Sequence, residues 1–131
     1  MVKKQTIYVI LNDLEEIINI KSTKSDAQKF IKQHSTDYDD YEIEKRQLDL
    51  IDQKIVKTLY IVNCEMFSGY DEVSSSLFIK EKDAHDFYVE KIKEFKSDCK
   101  EEMQEYPYIE KENNVELENC FIINFSKYTL N

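Results

Sequence analysis

The sequence predicts an α+β fold that is built from a duplicated β-β-α-β unit. A Thr-apolar-Tyr-apolar-apolar segment, typical of a strand, occurs at residues 6–10 and again at residues 58–62. Each copy is followed by an Asp-Ala-x-x-Phe segment, at residues 26–30 and 83–87, with helical spacing of its apolar residues. Self-similarity of this kind indicates a repeated supersecondary structure.

The repeat divides one predicted domain, residues 1–131, into two copies. The first copy covers residues 5–51 and the second, longer copy covers residues 55–131. We expect a mostly antiparallel sheet, or two packed sheets, with one short and one long helix on a face. A chain of 131 residues is long enough for such a domain, since it buries roughly two-thirds of the surface that its unfolded state exposes.

Local signals place the elements of the first copy. We predict three strands, at residues 5–11, 16–21 and 41–50. Thr23 is a candidate N-cap for a helix that extends to about His34, with Asp26 three residues later as in a capping box.

The second copy has a clearer helix and a more apolar last strand. We predict strands at residues 55–64, 72–79 and 118–130. The helix has an apolar stripe at intervals of three and four residues, formed by Ala84, Tyr88, Ile92, Phe95, Cys99 and Met103. Lys80 stands where the first copy has Thr23 and offers no cap, and Pro107 ends the helix. A turn is expected at residues 113–114, and the apolar run 121–125 predicts a central strand that is buried on both sides.

Composition and charge exclude several classes of function. The 27 acids and 18 bases give a net charge of −9, which repels phosphate, so we expect no direct nucleic-acid partner. Gly69 is the only glycine, whereas phosphate-binding loops, dinucleotide fingerprints and hydrolase elbows each need at least two.

The N-terminal apolar run, residues 7–11, is too short for a signal peptide, and no run has the ~18–20 apolar residues of a membrane span. We therefore expect a cytoplasmic protein with no membrane partner.

The sequence offers no motif for catalysis, metal binding or a cofactor. His34 and His85 are the only histidines, and neither lies near another His or Cys in sequence. The cysteines Cys64, Cys99 and Cys120 lack CxxC spacing, so we expect reduced thiols. Cys99 and Cys120 fall on apolar faces, while Cys64 ends a predicted strand and can be exposed. We expect no catalytic residue, no metal and no cofactor.

Acids and tyrosines cluster in two regions. The first acidic region, residues 37–44, has five acids, two tyrosines and no base. The second acidic region, residues 101–118, has seven acids and one base, Lys111. Either these regions are a solvated polar surface, or they imitate the phosphates of a nucleic acid and attract a basic groove. For the second alternative, the candidate partner-binding residues are Asp37, Tyr38, Asp39, Asp40, Tyr41, Glu42, Glu44, Glu101, Glu102, Glu105, Tyr106, Tyr108, Glu110 and Glu112.

The duplicated unit, at residues 6–31 and 58–88, resembles units in small phage and mobile-element proteins. The acidic balance, the size and the scarcity of Gly and Pro also resemble phage-encoded inhibitors of bacterial defence, such as anti-CRISPR and anti-restriction proteins. This resemblance implies a non-enzymatic protein of the host cytoplasm that binds a basic nucleic-acid-binding protein, namely a nuclease or its nucleic-acid groove. Such inhibitors act by mimicry, or by blocking dimerisation or a conformational change.

Two other classes of function remain open. A housekeeping or immunity-type binding domain, acting as a homodimer, would be favoured by an exposed apolar patch on the long helix or by an unpaired edge strand. A small enzyme would need a concave pocket with convergent polar groups and a perturbed pKa.

Overall fold

The computed structural model describes residues 3–34, 40–50, 54–67 and 72–130. It contains 28% helix and 47% strand in two antiparallel sheets and three helices, which confirms the α+β class. The chain divides into two compact units. The first unit comprises residues 1–59 with 128–131, and the second comprises residues 60–127.

The first unit has the strand–strand–helix–strand order that the repeat predicts. Its elements are β1 (Lys4–Leu11), β2 (Ile17–Lys21), α1 (Lys24–His34) and β3 (Glu42–Asp49). The strands form an antiparallel sheet in the order β2-β1-β3, so the first strand in sequence is central in space. This position buries β1, where Ile7, Val9 and Ile10 have no exposed surface.

Helix α1 begins at the predicted cap. The Asp26 backbone N–H donates to the Thr23 hydroxyl at 3.1 Å, which satisfies one of the N–H groups that a helix start leaves without a partner. Ala27 is fully buried on the face of α1 that packs against the sheet. Lys32 and His34 lie in the last turn, where positive charge is favourable.

The second unit repeats this topology with an insertion. The elements of the second copy are β4 (Thr58–Met66), β5 (Glu72–Phe78), α2 (Glu81–Asp98), α3 (Glu102–Glu105), β6 (Tyr108–Lys111), β7 (Asn114–Leu117) and β8 (Phe121–Thr129). The sheet order is β5-β4-β8-β7-β6. The segment β5-β4-β8 has the same arrangement as β2-β1-β3: second strand, first strand, last strand. The hairpin β6–β7 is the insertion. A turn was expected at residues 113–114 and the hairpin turn lies at residues 112–113, but the two strands beside it were not predicted.

The long helix ends earlier than its apolar stripe predicts. Helix α2 stops at Asp98, because Cys99 leaves helical geometry with φ −116° and ψ 38°. The stripe nevertheless continues, since the Met103 N–H donates to the Cys99 carbonyl at 2.9 Å and Met103 packs against the core. The apolar spacing therefore continues past the end of α2 and does not show where the helix ends. At the start of α2, Lys80 makes no side-chain cap, as the sequence predicts.

The core of the second unit lies between α2 and the sheet. Phe95 of α2 meets Phe121 of β8 edge to face, with ring centroids 5.4 Å apart. Strand β8 is third of five, which confirms its predicted central position. Phe121 and Ile123 are fully buried, but Ile122 and Phe125 are only half-buried, so the expectation that the run 121–125 is buried on both sides is wrong.

Candidate functional site

Both acidic regions lie in the same connection of the repeat, from the helix to the last strand. The first acidic region follows α1 and enters β3, and the second follows α2 and precedes β8. Asp37, Tyr38 and Asp39 lie outside the described residues. The predicted site thus falls on equivalent connections of the two copies.

In the first unit, the described part of the region lines a concave acidic surface. Asp40, Tyr41 and Glu42 line a depression of about 320 Å³ together with Asn12, Asp13 and Glu15 from the β1–β2 turn. Four of these six side chains are carboxylates, and none of the described lining residues is a base. Asp40 and Glu42 are exposed, whereas Tyr41 is half-buried. A cationic side chain is the ligand that such a surface attracts.

The β1–β2 turn is held by one asparagine. The Asn12 side-chain oxygen accepts the N–H groups of Leu14 at 3.0 Å and Glu16 at 2.9 Å, and its amide donates to the Glu16 carboxylate at 3.1 Å. Glu15 has a φ of 64°, a left-handed conformation that is unfavourable for a residue with a Cβ. The Asn12 bonds hold this turn, and so they position the carboxylates of Asp13 and Glu15.

Asp13 and Glu15 were not among the predicted site residues. They are far from residues 37–44 in sequence, and the pairing of Leu11 with Glu42 brings the end of β1 to the start of β3. The proximity of Asp13 and Glu15 to the first acidic region can be read only from the strand register. Conversely, Glu44 is partly neutralised, because Arg46 donates to its carboxylate at 2.6 Å.

In the second unit, most acids of the region are exposed on α3 and on the β6–β7 hairpin. The exposed members are Glu101, Glu105, Glu110, Glu112, Glu116 and Glu118. Glu102 is half-buried, and its charge raises the pKa of the buried Cys120 thiol, although burial of that thiol is the larger cause. The exposed carboxylates are therefore the part of this region that a partner can contact directly.

The two tyrosines of the second region differ in their availability. Tyr106 is 37% exposed, as an interface anchor requires. Tyr108 is half-buried, and the Lys96 ammonium lies 4.5 Å from its ring centroid. The hydroxyls of Tyr108 and of Tyr88 on α2 are buried and have no hydrogen-bond partner among the described residues. Burial, followed by the charge of Glu110 and the nearby Tyr108, raises the pKa of Tyr88 to about 12.

The described residues contain no candidate metal centre. They contain no group of three or more His, Cys, Asp or Glu side chains that could hold a metal ion. His34 stacks on Phe30 with ring centroids 4.1 Å apart, and its Nδ1 lies 2.9 Å from the Phe30 carbonyl oxygen. Cys64 is only 2% exposed, which corrects the expectation that it can be open to solvent.

The other two thiols pack in the core, as predicted. Cys99 and Cys120 are each 1% exposed. Burial and the adjacent Cys120 raise the pKa of Cys99 to about 11. Because the thiolate is the reactive form, a raised pKa and burial together make these cysteines poor nucleophiles.

Comparison with protein-family models, with curated proteins and with solved structures found no match. Within the described residues, no helix has both the length and the hydrophobicity to cross a bilayer. The function is therefore inferred from the chemistry of the surface rather than from relatives.

Proposed function

We propose that this protein is a non-enzymatic binding protein whose acidic regions occupy a basic, nucleic-acid-binding groove on a partner protein. The observation that supports this most is the position of both regions in the helix-to-last-strand connection of the repeat. Connections tolerate change without disturbing the core, so binding residues concentrate there on a rigid scaffold.

The electrostatics of the two connections favour a cationic partner. Four carboxylates surround the depression in the first unit, and six exposed glutamates lie on α3 and the β6–β7 hairpin or beside them. The protein as a whole has a net charge of −9, so its field attracts a basic surface from a distance. Salt screens this attraction, so the proposal predicts that binding weakens as the salt concentration rises.

The position of the acids in the second unit does not serve helix stability. Asp98 is the last residue of α2 and Glu101 follows soon after it. Negative charge at a helix C-terminus is unfavourable by about 0.3–1 kcal/mol. Residues that oppose a local stability rule are expected where function requires them.

The partner class is a bacterial defence protein that binds nucleic acid, such as a CRISPR or restriction nuclease. Occupation of its groove by fixed carboxylates excludes the nucleic acid, so binding inhibits the partner. The resemblance to phage-encoded inhibitors supports the same assignment, and it places the action in the cytoplasm of the host bacterium.

A pull-down from bacterial lysate tests this proposal. The tagged protein is incubated at low salt, and the bound material is then challenged with high salt or with added nucleic acid. We expect recovery of a basic nucleic-acid-binding protein that both treatments release. Recovery of no other protein at low salt, or of a partner that remains bound under both treatments, would contradict the proposal.

A second candidate function, a homodimeric binding domain, is favoured by one observation. Strand β6 is the last strand of its sheet, and Ile109 on it is 50% exposed. Sedimentation at micromolar concentration tests this candidate, since it predicts a doubled mass and a monomer would contradict it.

A further inference from the structure

The outer side of β6 meets no described strand. The sheet order ends β8-β7-β6, so β6 pairs with β7 on one side only. Its residues Ile109, Glu110 and Lys111 are all exposed. An edge of this kind presents backbone N–H and C=O groups that another strand can pair with.

The register identifies which backbone groups face outward. The Glu118 N–H donates to the Pro107 carbonyl at 3.1 Å, which makes residues 107 and 118 a hydrogen-bonded pair. Such pairs alternate along an antiparallel ladder, so Ile109 pairs by hydrogen bonds with Glu116 across the hairpin. The N–H and C=O groups of Tyr108 and Glu110 therefore point away from β7.

The side chains at this edge present one apolar contact among carboxylates. Ile109 lies opposite Glu116 on one face of the hairpin. On the other face, Tyr108 and Glu110 lie opposite Leu117 and Val115, which are fully buried. A strand that binds here gains backbone pairing, an apolar contact at Ile109, and acids on both faces.

Two buried hydroxyls in the core that β6 borders have no described hydrogen-bond partner. Tyr88 is 6% exposed, yet its hydroxyl has no described partner, and the same is true of the Tyr108 hydroxyl. Buried polar groups are normally hydrogen-bonded. Burial, followed by the charge of Glu110, raises the pKa of Tyr88. A phenol hydroxyl both donates and accepts, whereas the exposed Glu110 carboxylate accepts only, and a guanidinium, with five N–H donors and no acceptor, complements that carboxylate.

A cation is already accommodated at this place. The Lys96 ammonium lies 4.5 Å from the Tyr108 ring centroid, as in a cation–π contact. The face of the Tyr108 ring therefore already accommodates a positive charge.

We propose that β6 accepts an extended, arginine-bearing segment of the partner as a sixth strand, with an arginine side chain directed to the exposed carboxylate of Glu110. This inference rests on the proposed function, since it takes the partner to be basic, and it adds the mode of binding. Main-chain pairing supplies affinity, and the arginine supplies specificity.

A basic segment fits this edge better than a second copy of the chain. A second copy would present the same edge, where the exposed acids Glu105, Glu110, Glu112 and Glu116 outnumber the one base, Lys111, so acid would meet acid. Like charges that face each other across strands are unfavourable. An arginine-bearing strand instead places opposite charge at these positions.

The test uses the full chain and a blocked seven-residue peptide in which arginine alternates with valine. Titration calorimetry gives the affinity, and amide hydrogen exchange by NMR locates the peptide. We expect the amides of Tyr108 and Glu110 to become protected when the peptide binds. Binding without protection of these amides would overturn the proposal.

A matched pair of variants separates backbone pairing from charge. Glu110→Ala and Glu110→Pro both remove the carboxylate, but only proline also removes the outward N–H, and proline is tolerated on an edge strand at such a position. We expect Glu110→Pro to bind the peptide about tenfold more weakly than Glu110→Ala. Equal binding by the two variants would overturn the proposal. The exchange measurement on the unaltered chain decides the matter if Glu110→Pro fails to fold.

The outcomes also separate this inference from the proposed function. Peptide binding at β6 combined with a lysate that yields no basic partner overturns the proposed function alone. A basic partner that binds Glu110→Pro and Glu110→Ala equally overturns the β6 inference alone. A dimer that Glu110→Pro dissociates makes a second copy the occupant and contradicts the inference.

Discussion

The two copies of the repeat share a scaffold and differ in one connection. Both place the first strand between the second strand and the last, and both pack a helix that begins near an Asp-Ala-x-x-Phe segment. The connection from helix to last strand is short in the first copy, whereas in the second it contains α3 and the β6–β7 hairpin. The shared part is buried and the divergent part is acidic, so we propose that the scaffold provides stability and the connections provide binding.

The buried alanines make the comparison quantitative. Ala27 and Ala84 are both fully buried at the repeated position. We expect Ala27→Leu and Ala84→Leu each to lower the free energy of unfolding by about 1–3 kcal/mol, because extra volume overpacks a filled core. Urea denaturation measures this, with Gln28→Leu, at an exposed neighbouring position, as the control. If only one alanine variant is destabilised, the two helices do not pack equivalently.

Alkaline pH is expected to weaken the second unit through Tyr88. Its pKa is raised from 10 to about 12 in the folded protein. Below pH 10 both states hold the proton. As pH rises from 10 to 12, the unfolded chain ionises first, which favours unfolding by about 1–2 kcal/mol. Tyr88→Phe removes the ionisable hydroxyl. Because that hydroxyl has no described hydrogen-bond partner, its removal breaks no described hydrogen bond.

The measurement is urea denaturation between pH 7 and pH 11 for the unaltered protein and for Tyr88→Phe. We expect Tyr88→Phe to be at least as stable at pH 7 and to lose less stability above pH 10. Tyr106→Phe is the control, since Tyr106 is exposed. Identical pH profiles for Tyr88→Phe and the unaltered protein would contradict the assignment.

The helix caps give the smallest expected difference between the copies. Thr23 caps α1, whereas Lys80 at the start of α2 has the extended backbone of a cap residue, φ −104° and ψ 131°, without a capping side chain. We expect Thr23→Ala to destabilise by about 1 kcal/mol and Lys80→Ser to stabilise by up to about 1 kcal/mol. Thermal unfolding of both variants checks the two signs. A Lys80→Ser variant that is not stabilised would show that the cap position is differently formed in the second copy.

The repeat made the scaffold predictable, because strand alternation, the Thr23 cap and the apolar stripe are local signals. The strands of the β6–β7 hairpin were missed, since they have four residues each and only two fully buried apolar positions, Val115 and Leu117. Within the site, the sequence located the acids but not their neighbours. Asp13 lines the same depression as Asp40 because of the register between β1 and β3. The burial of Tyr108 depends on its packing against α2. No local sequence pattern encodes either contact.

The most direct test of the central claim compares charge reversals in the connections with an equal reversal elsewhere. The connection variants are Asp40→Lys with Glu42→Lys in the first unit, and Glu110→Lys with Glu116→Lys in the second. Asp86→Lys with Glu90→Lys, on the exposed face of α2, changes the net charge by the same amount. Each tagged variant is used in the same low-salt pull-down. We expect both connection variants to lose the basic partner while the α2 variant retains it, whereas equal recovery by all three would contradict a binding role for the connections.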